Sequence, residues 1–290
     1  MGTRIRLDQL PIASIAVEQA NLPGIGPGEK SPLVVRIVQP DGTVLQTEGA
    51  GKGKILWDDL SVEATVATVN KKGVISLPQD PRISMGKLPH VLVTVPSHPA
   101  LKAELDIPLR YDYKYSSTYF GSSGFDGTKG MDGSSGMDGS SGSFDPKNPV
   151  AGGNGSDGGN GSNGSDGSNG GDGPPVRVLV TLLPGDRPLL QAKVSAEGGE
   201  RYFLIDPQGG TLTISSEGGR GGSGGIGSPN GSSGRDGSNG RDGSDGRTGS
   251  GGLITVTCDP QVKPYLAAIK SSSWNGPKPI LQEAPVAPLW

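Results

Sequence analysis

The residues whose types and spacing could do chemistry are easily found and badly placed for it. Gly153-Asn154-Gly155-Ser156-Asp157-Gly158 has the G-x-G-x-x-G form of a dinucleotide loop. In such a loop, glycines let a pyrophosphate approach the start of a helix that follows a strand. Here the match follows no strand-like run and opens no helix-like one. Gly221-Gly222-Ser223-Gly224-Gly225 has the G-x-S-x-G form of a nucleophile elbow, yet it lies inside a glycine repeat, where such matches are inevitable. Gly51-Lys52-Gly53-Lys54 lacks the spacing and the Ser or Thr of a phosphate loop. His90 and His98 are the only histidines and stand in no zinc spacing with Cys258, the only cysteine. One cysteine also excludes an internal disulfide framework, and it reads as a small buried residue of a strand over 253–258. Asp and Asn of the repeats offer oxygens to Ca²⁺ but follow neither the calcium-roll nonapeptide nor the EF-hand loop. The expectation is a non-enzymatic chain with no catalytic residue, no cofactor and no dedicated metal site.

What the sequence specifies strongly is a period. Glycine occupies every third position in run A (121–142), run B (152–173) and run D (231–252), eight glycines in phase in each. A shorter run C (218–227) precedes run D and is separated from it by Ser228-Pro229-Asn230. Gly/Ser/Asn/Asp mixtures are usually flexible linkers, but a linker needs composition and not phase. A strict period of three matches the three residues per turn of polyproline II geometry, so each run carries a bare glycine edge. That geometry makes no internal hydrogen bonds, so its amides and carbonyls must pair with neighbours or water. Packed helices of the polyglycine II type follow as the expectation.

Collagen is excluded on two grounds. No X or Y position of the three long runs is proline. Each long run spans roughly 65 Å at a rise of ~3.1 Å per residue, whereas the 143–151 link reaches about 30 Å at most. Runs A and B must therefore be antiparallel, which a single-chain triple helix cannot be.

The other two columns differ between runs. In run B one holds only Gly and Ser and the other only Asn and Asp, which reads as two packed edges and one edge facing water. Run C has two bare columns, adding Gly219, Gly222 and Gly225, and is expected to lie deepest. In run A, Phe125, Met131 and Met137 share a column with small hydroxyl residues. Three large apolar groups on one edge should be covered by the bundle's flank or a β domain, or else form a contact surface.

The elements that must hold these runs read as strands. Apolar, β-branched segments over 33–38, 44–47, 55–58, 62–69, 74–77, 90–95 and 101–115 give about seven strands, with hairpin chemistry at Gln39-Pro40-Asp41-Gly42. They predict an immunoglobulin-like β-sandwich over 1–118. A polyglycine II hairpin follows over 119–174, then a second β region over 175–217 with strands at 176–183, 189–196, 201–205 and 211–215. A second polyglycine II hairpin spans 218–252, and 253–290 supplies a closing strand and a Pro-rich tail anchored by Trp274 and Trp290. The fold class is all-β, with no helix of three turns.

A formal net charge of −3 argues against nucleic acid as a partner. No apolar run approaches transmembrane length. Met1 to Leu10 lacks a signal-peptide core, and Arg6 stands where N-myristoylation requires Ser or Thr. The chain is read either as a mature or trimmed extracellular or cell-surface protein or as a cytoplasmic one.

The stretches GSSGSFDPKNPVAGGNGSDGGNGSNGSDG and DPQGGTLTISSEGGRGGSGGIGSPNGSSGRDG, with SPLVVRIVQPDG near the start and DPQVKPYL and APVAPLW near the end, resemble uncharacterised glycine-rich, collagen-like bacterial proteins. That resemblance covers most of the chain and implies architecture only. The triplets alone are similar to snow-flea antifreeze proteins and to polyglycine-rich tail-fibre adhesins of phages. A structural or interaction module with a protein or cell-surface partner is expected, with ice binding as the alternative.

Overall fold

The computed structural model describes residues 6–21, 24–185, 187–231 and 235–290. Sheet dominates it, as expected for an all-β chain, and among the described residues no helix is long and apolar enough to cross a membrane. Eight strands make up the first region: β1 (Ser14–Gln19), β2 (Lys30–Val38), β3 (Val44–Gln46), β4 (Ser61–Thr65), β5 (Thr68–Val69), β6 (Val74–Ser76), β7 (His90–Val95) and β8 (His98–Asp106). One antiparallel sheet runs β1-β2-β6-β5 with β3 on β2, and the other runs β4-β7-β8. They enclose one core, in which Val35 and Ile37 of β2 meet Val91, Val93 and Val95 of β7 with Trp57 between elements. The expected turn joins β2 to β3: Gly42 has φ +85° and its N–H donates to the Gln39 carbonyl.

Three expectations for this region change. The single strand over 62–69 is two strands in different sheets, because Val66 sits at φ +66° and turns the chain from one sheet into the other. A β-branched residue there is strained. Residues 55–58 form only a bridge from Ile55 to Thr47 before a 3₁₀ turn over Trp57–Asp59. The strand over 101–115 ends at Asp106, just before Pro108, which cannot donate to a ladder. The segment that follows, β9 (Lys114–Phe120), joins the second region, so the sequence boundary at residue 118 falls inside a strand.

The second region adds β10 (Val176–Leu183), β11 (Leu189–Ala196), β12 (Gly199–Ile205), β13 (Thr211–Glu217), β14 (Ile254–Cys258), β15 (Ile269–Ser273) and β16 (Ile280–Glu283). Its two sheets run β12-β11-β10-β14-β16 and β15-β13-β9, over a core that includes Val178, Leu190, Phe203, Leu212, Ile214, Val256 and Cys258. The tail is more regular than its prolines suggest. Asp259 caps a nine-residue 3₁₀ helix, Pro260–Ala268, by accepting the Gln261 N–H, and β15 and β16 follow. Trp290 anchors the end as expected, edge-on to Tyr202 at 5.7 Å, with its indole N–H on Met85 Sδ. Trp274 instead remains half exposed.

All pairings among β9, β13 and β15 are parallel, and so are β10 with β14 and β14 with β16. The chain therefore leaves the three-stranded sheet three times and returns three times to the other. β9 leads through runs A and B to β10, β13 leads through runs C and D to β14, and β15 reaches β16 by a short turn alone. Ser216 pins the root of the excursions: its hydroxyl donates to the Pro174 carbonyl and accepts the Gly252 N–H.

The runs are neither helix nor strand by hydrogen-bond pattern, yet they pair in register. Runs A and B are antiparallel, with the N–H of Gly171, Ser168, Ser165, Ser162 and Gly159 donating to the carbonyls of Ser122, Phe125, Thr128, Met131 and Ser134. Runs A and C are parallel, Gly121, Gly124, Gly127 and Gly130 donating to Glu217, Arg220, Ser223 and Ile226. Gly219, Gly222 and Gly225 of run C donate to run B, and their carbonyls accept from Gly249, Gly246 and Gly243 of run D. Run C thus touches all three other runs, and Gly219, Gly222 and Gly225 are buried.

A Cβ at Gly222 would lie 2.0 Å from the Phe125 carbonyl oxygen, and one at Gly221 would lie 2.0 Å from that of Gly246. Neither obstacle is a side chain that can rotate away. At Gly153 the nearest atom is the Ser140 hydroxyl, at 2.7 Å, and it can. Gly222→Ala should therefore destabilise the protein by at least about 2 kcal/mol, whereas Gly153→Ala stays within about 0.5 kcal/mol. Thermal melts of the two variants check this, and equal midpoints would contradict backbone contact at run C.

Candidate functional site

Each triplet carries three amides, and carbonyls of neighbouring runs take only some of them. The remainder explain the polar columns. In run B, Oδ1 of Asp157, Asn160, Asn163, Asp166, Asn169 and Asp172 accepts the N–H of Arg235, Ser238, Arg241, Ser244, Arg247 and Ser250 of run D, at 2.7–2.9 Å. The following glycine of run B donates to the carbonyl of the same run D residue, as Gly164 does to Arg241 at 2.9 Å. Each Asx-Gly pair thus grips one residue of a parallel neighbour at both its amide and its carbonyl. Asp126-Gly127 of run A holds Ser223 of run C in the same way. Between antiparallel runs C and D, Asp245 and Asp242 accept from Gly224 and Gly227.

The Asx edge of run B faces water as expected, its side chains being exposed, but it also has a partner. Its inner oxygens line a backbone-to-backbone seam. The clue was available in the sequence: every residue preceding an in-phase glycine of run B, from Asn154 before Gly155 to Asp172 before Gly173, has a short side chain ending in an acceptor oxygen. An edge selected only for solubility would admit Lys, Glu or Gln.

Serine does the same work between runs A and B. Ser168, Ser162 and Ser156 hydroxyls accept the N–H of Phe125, Met131 and Met137, and the same serines donate their own amides to the carbonyls of those three residues. Each large apolar residue of run A is therefore fixed opposite a serine of run B. Thr128 pairs with Ser165 in the same manner. The adjoining columns of runs A and B make one exposed face with a small, hydroxyl-rich floor and an apolar ridge.

The ridge is uncovered. Phe125, Met131 and Met137 are 83%, 81% and 77% exposed. Of the two expectations for this column, cover by the bundle's own flank or by a β domain is not met among the described residues. Phe144 and Val150, in the link between runs A and B, are exposed as well.

The residues with chemical potential do not come together. His90 opens β7 half-buried, 2.7 Å from Asp106, and His98 lies 3.0 Å from the Ser97 hydroxyl. Cys258 is buried in the second core, with its sulfur near the Gln282 carbonyl, and burial pushes its thiol pKa up. Residues 153–158 lie in run B and residues 221–225 in run C, with their backbones occupied by neighbouring runs. Lys52 closes a 3₁₀ turn at φ +52°.

Removing one acceptor from the Asx seam should be local and measurable. Asn163→Ala leaves the Arg241 amide without its partner and is expected to cost about 1 kcal/mol and to speed hydrogen exchange at Arg241. Asn163→Asp, which retains the oxygen, should leave that exchange unchanged. Equal protection in the wild type and the alanine variant would mean that the seam does not hold the amide. No family model matches this chain, and no curated protein matches it.

Proposed function

We propose that this is a non-enzymatic structural or interaction protein in which an antiparallel bundle of polyglycine II helices projects from a β base and presents a contact surface outside the cell. The observation that carries the reading is the exposed Phe125, Met131 and Met137 ridge, held on a framework in which even the amides of those residues have assigned acceptors. A rigid backing lowers the ordering cost of a contact. The polyglycine II assignment is supported by the three-residue repeat of the inter-run hydrogen bonds and by glycines turned toward neighbouring backbones. Two antiparallel sheets over one core in the first region support an immunoglobulin-like sandwich as part of the base.

An ice-binding role, which the triplets also suggest, fits this surface less well. Phe125, Met131 and Met137 interrupt what would otherwise be a flat floor, and Arg235, Arg241 and Arg247 line run D with charge. The purified protein is expected to give no thermal hysteresis, and a clear hysteresis gap would favour the ice reading instead.

The surface reading is tested on cells expressing the full-length gene product. Protease shaving of intact cells should release fragments from 121–173. The triple variant Phe125→Ser, Met131→Ser, Met137→Ser should fold yet no longer be retained at the surface. A product confined to the cytosol would overturn the location, and unchanged retention of the variant would overturn the role of the ridge.

A further inference from the structure

We infer that the ridge of run A packs against the same ridge of a second copy of this chain, antiparallel about a two-fold axis. The inference rests on the reading of this column as a contact surface and adds its occupant. Its basis is the order of sizes along the column. Ser122, Phe125, Thr128, Met131, Ser134, Met137 and Ser140 alternate small and large without exception, and every one of them is exposed. Successive large groups stand two triplets apart, about 19 Å at a rise of ~3.1 Å per residue. Each gap between them holds only a Thr or Ser over the serine and glycine floor of run B.

An antiparallel copy offset by one triplet places every large side chain over a small one. In one such register Met131 lies over Ser134 of the copy, Phe125 over Ser140 and Met137 over Thr128. The two-fold axis then supplies the reciprocal three contacts, because an isologous interface repeats each contact with the partners exchanged. A column of uniform size could not interdigitate in this way. A partner of unrelated sequence would have no cause to match the six-residue spacing.

The area is sufficient. From Ser122 to Ser140 the face is about 56 Å long at that rise. Two adjoining runs at the ~4.8 Å separation of hydrogen-bonded extended chains make it about 10 Å wide. A copy would then cover roughly 560 Å² on each partner, or about 1,100 Å² in all, near the lower limit for a specific interface. With few charged groups in the contact, such a dimer should assemble at micromolar to submillimolar concentration and resist salt.

Sedimentation velocity or light scattering on the full chain, up to about 100 µM, decides the matter. The wild type should move from one to two chains' mass with rising concentration. The Phe125→Ser, Met131→Ser, Met137→Ser variant should remain at one chain's mass, with an unchanged melting temperature when dilute. A second variant, Thr128→Met with Ser134→Met, fills the gaps while making the face more apolar. Interdigitation requires that it lose the dimer, whereas a merely sticky ridge would associate more strongly. A wild type that stays at one chain's mass throughout, or a gap-filled variant that dimerises at least as well, overturns the inference. If the wild type is monomeric but the serine variant is lost from cells, the contact surface stands and only its occupant here is wrong. If the serine variant alters neither mass nor retention, both readings fail.

Discussion

The bundle depends on a carbonyl oxygen standing where a side chain would have to begin. A Cβ at Gly124 would lie 2.1 Å from the Ser168 oxygen, one at Gly164 would lie 2.1 Å from that of Gly225, and one at Gly246 would lie 1.9 Å from that of Ser168. Backbones that close leave no interior for apolar side chains, so the bundle has no hydrophobic core in the usual sense. Its cohesion comes from hydrogen bonds of modest individual worth, about 1 kcal/mol net each, and from dispersion between densely packed main chains. Such bonds stabilise only when neighbouring runs are already in place. The runs therefore need a base that aligns them before they pair.

The base supplies that alignment through parallel pairing. β9 and β13 lie side by side and point the same way, so runs A and C leave the sheet together, already spaced for hydrogen bonding. β10 and β14 receive runs B and D in the same manner. Loop closure would be costly if paired runs met only after long independent excursions. Here pairing can proceed from the root, each new bond closing only a few further residues. The Ser216 hydroxyl, shared between Pro174 and Gly252, joins the two excursions where that zipper starts.

The period of three, the antiparallel relation of runs A and B and the depth of run C were legible in the sequence, because each follows from glycine phase and chain reach alone. Most strands were legible too, since alternation and β-branching mark them locally. The misreadings have physical causes. The 62–69 and 101–115 segments look like single strands, but Val66 adopts a left-handed conformation that no local signal specifies, whereas Pro108, which has no N–H to give a ladder, was a break already visible in the sequence. The Asx column of run B reads as a wetted edge because polarity marks exposure in ordinary folds. In this bundle both hold: the side chains are exposed and their oxygens still serve the backbone of run D. The open state of the Phe125, Met131 and Met137 column could not be read from one chain's sequence, since large apolar residues predict cover without naming what provides it.

The third excursion bears on how such an object can change over time. β15 reaches β16 through a turn that contains no triplet, and this turn sits on the root of the bundle, with the Trp274 N–H on the Ser216 carbonyl and the Gly251 N–H on the Trp274 carbonyl. The same crossing therefore works with no triplet and with the eight in-phase glycines of run A. Runs A and B pair by a constant sum of residue numbers counted from their shared tip, so a triplet gained or lost at that tip in both leaves every bond nearer the base in register. Reach is then a parameter inherited separately from the architecture that supports it. A lineage could lengthen or shorten the paired runs one triplet at a time by slippage in a repetitive gene, without a compensating change in either β core.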